Sequence, residues 1–319
     1  MDRSEFLYSE FLKSFGFEPT PCQDRLFRDI ASFLTSDDTD ILVVNGYAGT
    51  GKTTAISAVI SSLEQMKVRS VLLAPTGRAA KVLGAMADRP ARTIHKHIYK
   101  QKSVGDDGFG QFSIIPNKSK STLFVVDEVS LIGIDDENRQ SSSVFGTGNL
   151  LEDLVGFVRS GIDCRLILIG DAAQLPPVGL DCSPALSKEY MEGFGGVTFS
   201  TLETVVRQAG ESGILHNATM LRERIAESYG DEFFDDLKLD VNGFDDIERI
   251  SGGELIEKVS DAYAHYGEDE TIILCRSNKR ANRYNAGIRS SVLYREESLS
   301  KGDKLMDCAP LSSSRRNAW

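Results

Sequence analysis

Residues 46–53, Gly46-Tyr47-Ala48-Gly49-Thr50-Gly51-Lys52-Thr53, have the types and spacing to grip phosphate groups. Glycines at three positions let backbone N–H groups curl around phosphate oxygens without a Cβ in the way. Lys52 is spaced to reach β- and γ-phosphates, and the Thr53 hydroxyl to ligate Mg²⁺, with Thr54 completing the turn into the next element. The apolar run Ile41-Leu42-Val43-Val44 precedes the loop, and a helical pattern (Ala55, Ile56, Val59, Ile60, Leu63) follows it. Strand, Gly-rich turn and helix in that order are the context a P-loop requires, and the helix N-terminus adds a favourable dipole. ATP and Mg²⁺ are therefore the expected cofactors.

A second reactive group lies downstream. The run Leu123-Phe124-Val125-Val126 ends in Asp127-Glu128. An Asp at a strand end in a P-loop protein holds Mg²⁺, and a neighbouring carboxylate can polarise an attacking water. Two exposed acids at a strand end are common by themselves; the P-loop upstream is what favours the chemical reading.

The elements that must position these groups are short apolar strands at 41–45, 70–74, 123–127 and 165–170, separated by helical patterns. Such alternation predicts an α/β fold, a parallel sheet with helices on both faces. Ligands of such sheets bind beyond the carboxyl ends of the strands. Amphipathic helices are expected at 4–16 and 22–34. A small hairpin is expected at about 98–116, around Gly105-Asp106-Asp107-Gly108, and a mobile polar loop at 135–149. A second α/β unit is expected from about residue 197, with its clearest strand at Thr271-Ile272-Ile273-Leu274-Cys275 and a helix at 279–289.

Bulk properties set limits. The 319 residues leave room for two domains, and 41% hydrophobic with 26% charged residues is globular composition. No apolar run approaches the roughly 18 residues of a membrane span. Five scattered cysteines, none at CxxC spacing, suit a reducing cytoplasm rather than a disulfide framework or zinc site. The net charge is −11, yet residues 227–270 hold fifteen acidic and three basic side chains. Residues 67–103 hold nine Lys/Arg against the single acid Asp88, a basic segment directly after the P-loop unit. Such a run is usually a solvated face, so charge alone does not establish a nucleic-acid partner.

Longer strings carry a resemblance. Val126-Asp127-Glu128-Val129-Ser130 and Leu168-Ile169-Gly170-Asp171-Ala172-Ala173-Gln174-Leu175-Pro176-Pro177-Val178-Gly179 resemble motifs II and III of superfamily 1 DNA helicases. The branch most resembled is the 5′-to-3′ one, the RecD/Dda-like enzymes. Ala74-Pro75-Thr76-Gly77-Arg78 resembles motif Ia, Arg92-Thr93-Ile94-His95 the next DNA-contacting motif, and Leu202-Glu203-Thr204-Val205-Val206-Arg207-Gln208 motif IV. The resemblance implies a RecA-like motor domain at 1–196 and an incomplete second one at 197–319. It implies a DNA helicase that hydrolyses ATP in response to single-stranded DNA. Gln23 would then contact adenine, Gln174 the γ-phosphate or the water, and Arg207 would be an arginine finger. Pro75, Thr76, Arg78, Thr93 and His95 would line a single-strand channel through phosphate contacts. Phe109, Phe112 and His97 could split a duplex or simply pack.

The family's motif V string Thr-x-His-Lys-x-Gln-Gly and its Ala-Leu-Ser-Arg motif are not found. The chain ends in an aperiodic stretch, Asp307 to Trp319, which reads as a truncation or a frame-shifted tail. Impaired unwinding is the expectation. Two other readings stay open: a nucleotide-dependent single-stranded-DNA-binding module that does not unwind, and a P-loop kinase acting on a small molecule.

Overall fold

The computed structural model describes residues 2–104, 110–134, 144–204, 212–227, 238–297 and 299–303. Two compact units divide the chain, one over residues 1–240 and one over 241–319.

The first unit opens with helices α1 (Arg3–Phe15) and α2 (Pro21–Thr35). Asp2 caps α1, and Gly16, left-handed at φ 70°, ends it. There follow β1 (Ile41–Gly46), α3 (Lys52–Gln65), β2 (Arg69–Ala74), α4 (Gly77–Met86), β3 (Ala91–Thr93) and α5 (Ile94–Ile98). Then come β4 (Tyr99–Val104), β5 (Gly110–Ile114), β6 (Thr122–Val126), β7 (Val144–Phe145), α6 (Leu150–Arg159) and β8 (Arg165–Gly170). The unit closes with α7 (Lys188–Glu192), β9 (Val197–Leu202) and α8 (Gly213–Glu227).

Six strands form a parallel sheet in the order β3-β2-β6-β8-β1-β9. Strand side chains alternate between its faces, and both faces are covered. Leu42, Val44, Val125 and Ile167 join Phe11, Phe27, Ile30 and Leu63 of the helices on one side. Ile41, Val43, Phe124 and Leu168 join Leu154, Phe157 and Val158 on the other. This double burial is why the central strands read as unbroken apolar runs.

A small sheet, β4-β5-β7, stands apart from the large one. β4 and β5 are antiparallel, so the hairpin expected at 98–116 forms, although its turn at 105–109 lies outside the described residues. The buried Asp153 of α6 holds its base: its carboxylate accepts from Tyr99 Oη (2.6 Å), Thr147 Oγ1 (2.8 Å) and Thr147 N (3.0 Å).

Two sequence expectations need correction. Residues 197–202 do not open a second unit; β9 pairs along the whole of β1, from Ile41–Val197 to Gly46–Leu202. The compact first unit runs to Asp240. The second unit contributes α9 (Leu255–Tyr266) and α10 (Asn278–Ser291), the latter capped by Ser277. The strand expected at 271–275 has no ladder partner among the described residues, and Leu274 is 85% exposed. No helix among the described residues is long and apolar enough to cross a membrane.

Candidate functional site

Three strands of the large sheet deliver their carboxyl ends to one place. β1 runs into the P-loop, β6 into Asp127-Glu128, and β8 into Asp171. Gly49 and Gly51 hold φ of 80° and 76°, left-handed conformations that a side chain would strain. Gly46 is required by space: a Cβ there would lie 2.8 Å from Lys52 Cδ and 3.0 Å from Leu202 Cβ.

Lys52 lies along this crease. Its Nζ donates to the Gly46 carbonyl and to the Tyr47 carbonyl (3.0 Å), and stands 3.8 Å from the Asp171 carboxylate. Burial pushes the ammonium below its ordinary pKa, while Asp171, Asp127 and Glu128 oppose that shift. The carboxyls respond the other way. Burial raises Asp127, against the Glu128 N–H (2.9 Å) and Lys52. Burial and then the Asp127 charge raise Glu128, with Lys52 opposing. Glu128 is itself left-handed, φ 57°, where β6 turns into a short 3₁₀ segment at Val129–Leu131. A non-glycine residue held there is a strained conformation of the kind that gathers at functional sites.

These groups line a cleft of about 380 Å³ whose wall also includes Thr53, Thr54, Met86 and Gln174. The structure thus places Tyr47, Ala48, Gly49, Gly51, Lys52, Thr53, Thr54, Asp127, Glu128 and Gln174 together around one cleft. Gln174 is exposed, on a turn closed by its N–H to the Asp171 carbonyl (3.1 Å). A larger pocket, at Leu7, Lys67 and Arg69, is lined by none of these residues.

Gln23 is placed differently from the expectation. It is 3% exposed, and both ends of its amide are engaged: Oε1 accepts from Thr20 N and Nε2 donates to the Thr50 carbonyl, each at 3.0 Å. With Thr20 it forms a capping box, so it braces the P-loop against α2 instead of standing free to read a base. Arg207 lies outside the described residues.

The residues expected to face DNA sit at the carboxyl ends of β2 and β3, which run side by side with Ala74 opposite Thr93. Thr76 and Thr93 cap α4 and α5, each hydroxyl accepting a backbone N–H at 3.2 Å. Pro75 is half-buried and Arg78 exposed. His95 packs edge-on against Phe145, ring centroids 5.1 Å apart. Phe112 stacks on Phe145 at 4.3 Å, and His97 packs between Phe124 and Phe157, so both serve as packing. Phe109 lies outside the described residues.

The sequence reading passed over Asp171, Asn45 and Arg222. Asp171 sits one residue beyond β8, and the strand-end rule that selected Asp127 would have found it. Asn45 Oδ1 accepts from Ala172 N (3.0 Å) and ties the P-loop strand to that turn. Arg222 of α8 stacks on the Tyr47 ring, 4.6 Å from its centroid, and no local sequence signal announces it.

A parallel sheet with a phosphate loop after its β1 strand and carboxylates after two neighbouring strands defines a RecA-like P-loop protein. The family described as an AAA domain matches residues 23–228, and the chain belongs to it. Two curated proteins similar to it are named as RecD2 and dda helicases, the branch that the sequence strings resemble. The ATP-dependent RecD2 DNA helicase of Deinococcus radiodurans is 30% identical over 203 residues, 64% of this chain and 24% of that protein. The ATP-dependent DNA helicase dda of Enterobacteria phage T4 is 24% identical over 285 residues, 85% of this chain and 56% of that one. The Pif1 helicase structure from Candida albicans overlaps distantly, with a TM-score of 0.42 and 16% identity over 84% of this chain and 61% of that one. The chain therefore spans about a quarter of one curated relative and just over half of another.

Proposed function

We propose that this chain is the nucleotide-hydrolysing part of a superfamily 1 DNA helicase, coupling ATP turnover to single-stranded DNA. The observation that supports this best is the convergence of Lys52, Asp127, Glu128 and Asp171 on the P-loop cleft at the ends of neighbouring strands.

In this reading Lys52 Nζ exchanges its Gly46 and Tyr47 carbonyl partners for β- and γ-phosphate oxygens, a stronger charge-assisted pairing. The site also fits Mg²⁺. Thr53 and Asp127 supply hard oxygen donors on one wall, and burial leaves the Asp127 charge in want of a cation. Bound there, the ion would neutralise charge on the phosphates. Glu128 polarises the attacking water. Its raised proton affinity suits a general base, and its left-handed backbone holds it beside Asp127. Gln174 reports the state of the phosphate to the loop 174–178, where Leu175 and Val178 are exposed. Arg207 is the candidate finger.

Pro75, Thr76, Arg78, Thr93 and His95 form the DNA-facing edge, within the basic segment 67–103. Phosphate contacts of this kind give sequence-independent, salt-sensitive binding. A second reading, a nucleotide-dependent DNA-binding module without unwinding, draws support from residues 271–275, which form no ladder among the described residues. The experiment is ATP hydrolysis with and without single-stranded oligonucleotides, followed by a forked duplex with a 5′ tail. DNA-stimulated hydrolysis supports the coupled site, and unwinding separates the two readings. Hydrolysis indifferent to DNA would overturn both.

A further inference from the structure

The cleft has a cationic neighbour that the P-loop motif does not supply. Arg222 lies on α8, 175 positions beyond Tyr47 in sequence, and its guanidinium rests 4.6 Å from the Tyr47 ring centroid. Tyr47 itself is fixed. Its N–H donates to the Leu202 carbonyl (3.2 Å), and its carbonyl accepts from Lys52 Nζ (3.0 Å) and Thr50 Oγ1 (2.8 Å). The backbone that carries the ring is therefore set at the wall of the cleft.

The helix that carries Arg222 is also anchored. Asn217, buried on α8, donates to the Asp240 carbonyl (2.6 Å) and accepts from Asp240 N (2.7 Å). Ser212 caps the start of the helix through its hydroxyl, which accepts from Leu215 N at 3.1 Å.

The guanidinium has N–H donors to spend. The ring contact is its one partner among the described residues: no carboxylate or carbonyl accepts from it. An arginine in that position is half-buried, cationic and free to offer a fork of two N–H groups. Its charge also reaches Lys52, where it disfavours the protonated ammonium. Two cations held near one another beside a phosphate loop are matched by the charge of a triphosphate.

We propose that Arg222 is a positioning residue for the terminal phosphate of a bound nucleoside triphosphate, presented from α8 across the Tyr47 ring. The proposal rests on the nucleotide reading above and deepens it. Lys52 and the loop N–H groups also grip the β-phosphate, which ATP and ADP share, whereas a cation reaching in past Tyr47 answers to the γ-phosphate. Arg222 would thereby make α8 sensitive to whether that phosphate is present. Arginine suits the place better than lysine, because the planar group stacks on an aromatic face and then pairs bidentately with phosphate oxygens.

The test measures binding of a non-hydrolysable MgATP analogue and of MgADP by titration calorimetry, for wild type, Arg222→Ala, Arg222→Lys and Lys52→Ala. Arg222→Ala should weaken the triphosphate analogue by about tenfold or more, the scale of one charge-assisted contact. Its MgADP affinity should stay within about twofold, and Arg222→Lys should recover part of the loss. Lys52→Ala should weaken both nucleotides. Thermal unfolding checks that each variant is folded, and Arg222→Lys carries the test if the alanine variant is not. Equal losses for both nucleotides, or unchanged affinity for both, would overturn the proposal while leaving the nucleotide reading intact. A wild-type chain that binds neither nucleotide would overturn the nucleotide reading, and this inference with it.

Discussion

Gln23 and Thr50 are joined across 27 residues by a 3.0 Å hydrogen bond from the buried amide Nε2 to the P-loop carbonyl. The same amide accepts from Thr20 N, so one side chain caps the start of α2 and supports the phosphate cradle. Gln23→Ala should lower stability by about 1–3 kcal/mol, the cost of leaving buried partners unsatisfied. Urea denaturation monitored by circular dichroism checks this. A loss below a few tenths of a kcal/mol would show the amide to be expendable.

Gly46→Ala should damage nucleotide binding and folding together. The new methyl would meet Lys52 and the Leu202 side chain at 3.0 Å or less, and Leu202 belongs to a paired strand that cannot simply move. We expect a stability loss of about 1–3 kcal/mol, typical of overpacking, and a weaker MgATP complex. Retention of wild-type affinity would mean that Lys52 can relax away without consequence.

Glu128→Gln should bind MgATP and fail to hydrolyse it, because a neutral amide cannot act as base. In the wild-type chain hydrolysis should decline as pH falls through the raised pKa of Glu128, at a higher pH than for an ordinary glutamate. A pH–rate profile on kcat decides this. An acid limb at the ordinary glutamate position would remove Glu128 from the role.

The same burial implies a stability cost at neutral pH. For Asp127 the folded-state pKa is raised, so its stabilising contribution is present at low pH and lost as pH rises through that value. Asp127→Asn should therefore raise Tm at pH 7, with each kcal/mol relieved worth about 2–4 °C in a domain of this size. Mg²⁺-dependent nucleotide binding should fall in the same variant. Differential scanning calorimetry with and without MgATP measures both effects, and a lower Tm without ligand would contradict the reasoning.

Asp153→Ala removes the carboxylate that three donors share at the base of the small sheet. Losing the buried carboxylate and the bond it accepts from Tyr99 Oη should cost about 1–3 kcal/mol. Hydrogen exchange should show β4 and β5 losing protection before the large sheet does. Uniform loss throughout the unit would argue that the two sheets unfold as one.

The central strands and the phosphate site were legible because their causes are local. β1, β6 and β8 are apolar at nearly every position since both faces are buried, and the P-loop declares itself by spacing. β9 was misassigned because Val197-Thr198-Phe199-Ser200-Thr201-Leu202 is an edge strand with polar positions, and nothing in it names β1 as its neighbour. Residues 271–275 show the converse: strong β-propensity alone gives them no ladder among the described residues. Gln23 looked available because sequence shows a side chain's chemistry, not its existing partners. Arg222 was invisible for a related reason: only the fold sets it beside Tyr47.

The position of β1 in the sheet has a kinetic corollary. Its two neighbours are β8 and β9, so the strand that carries the phosphate loop has no ladder partner before residue 165 and no full set before Leu202. At ribosomal speeds the intervening 156 residues take roughly 10–30 s to emerge. During that interval Ile41–Val44 is an exposed apolar segment waiting for residues still being synthesised, and chaperone dependence should centre on it. A nascent chain stalled before residue 197 should be protease-sensitive around the P-loop, and one stalled well beyond 240 should be protected there.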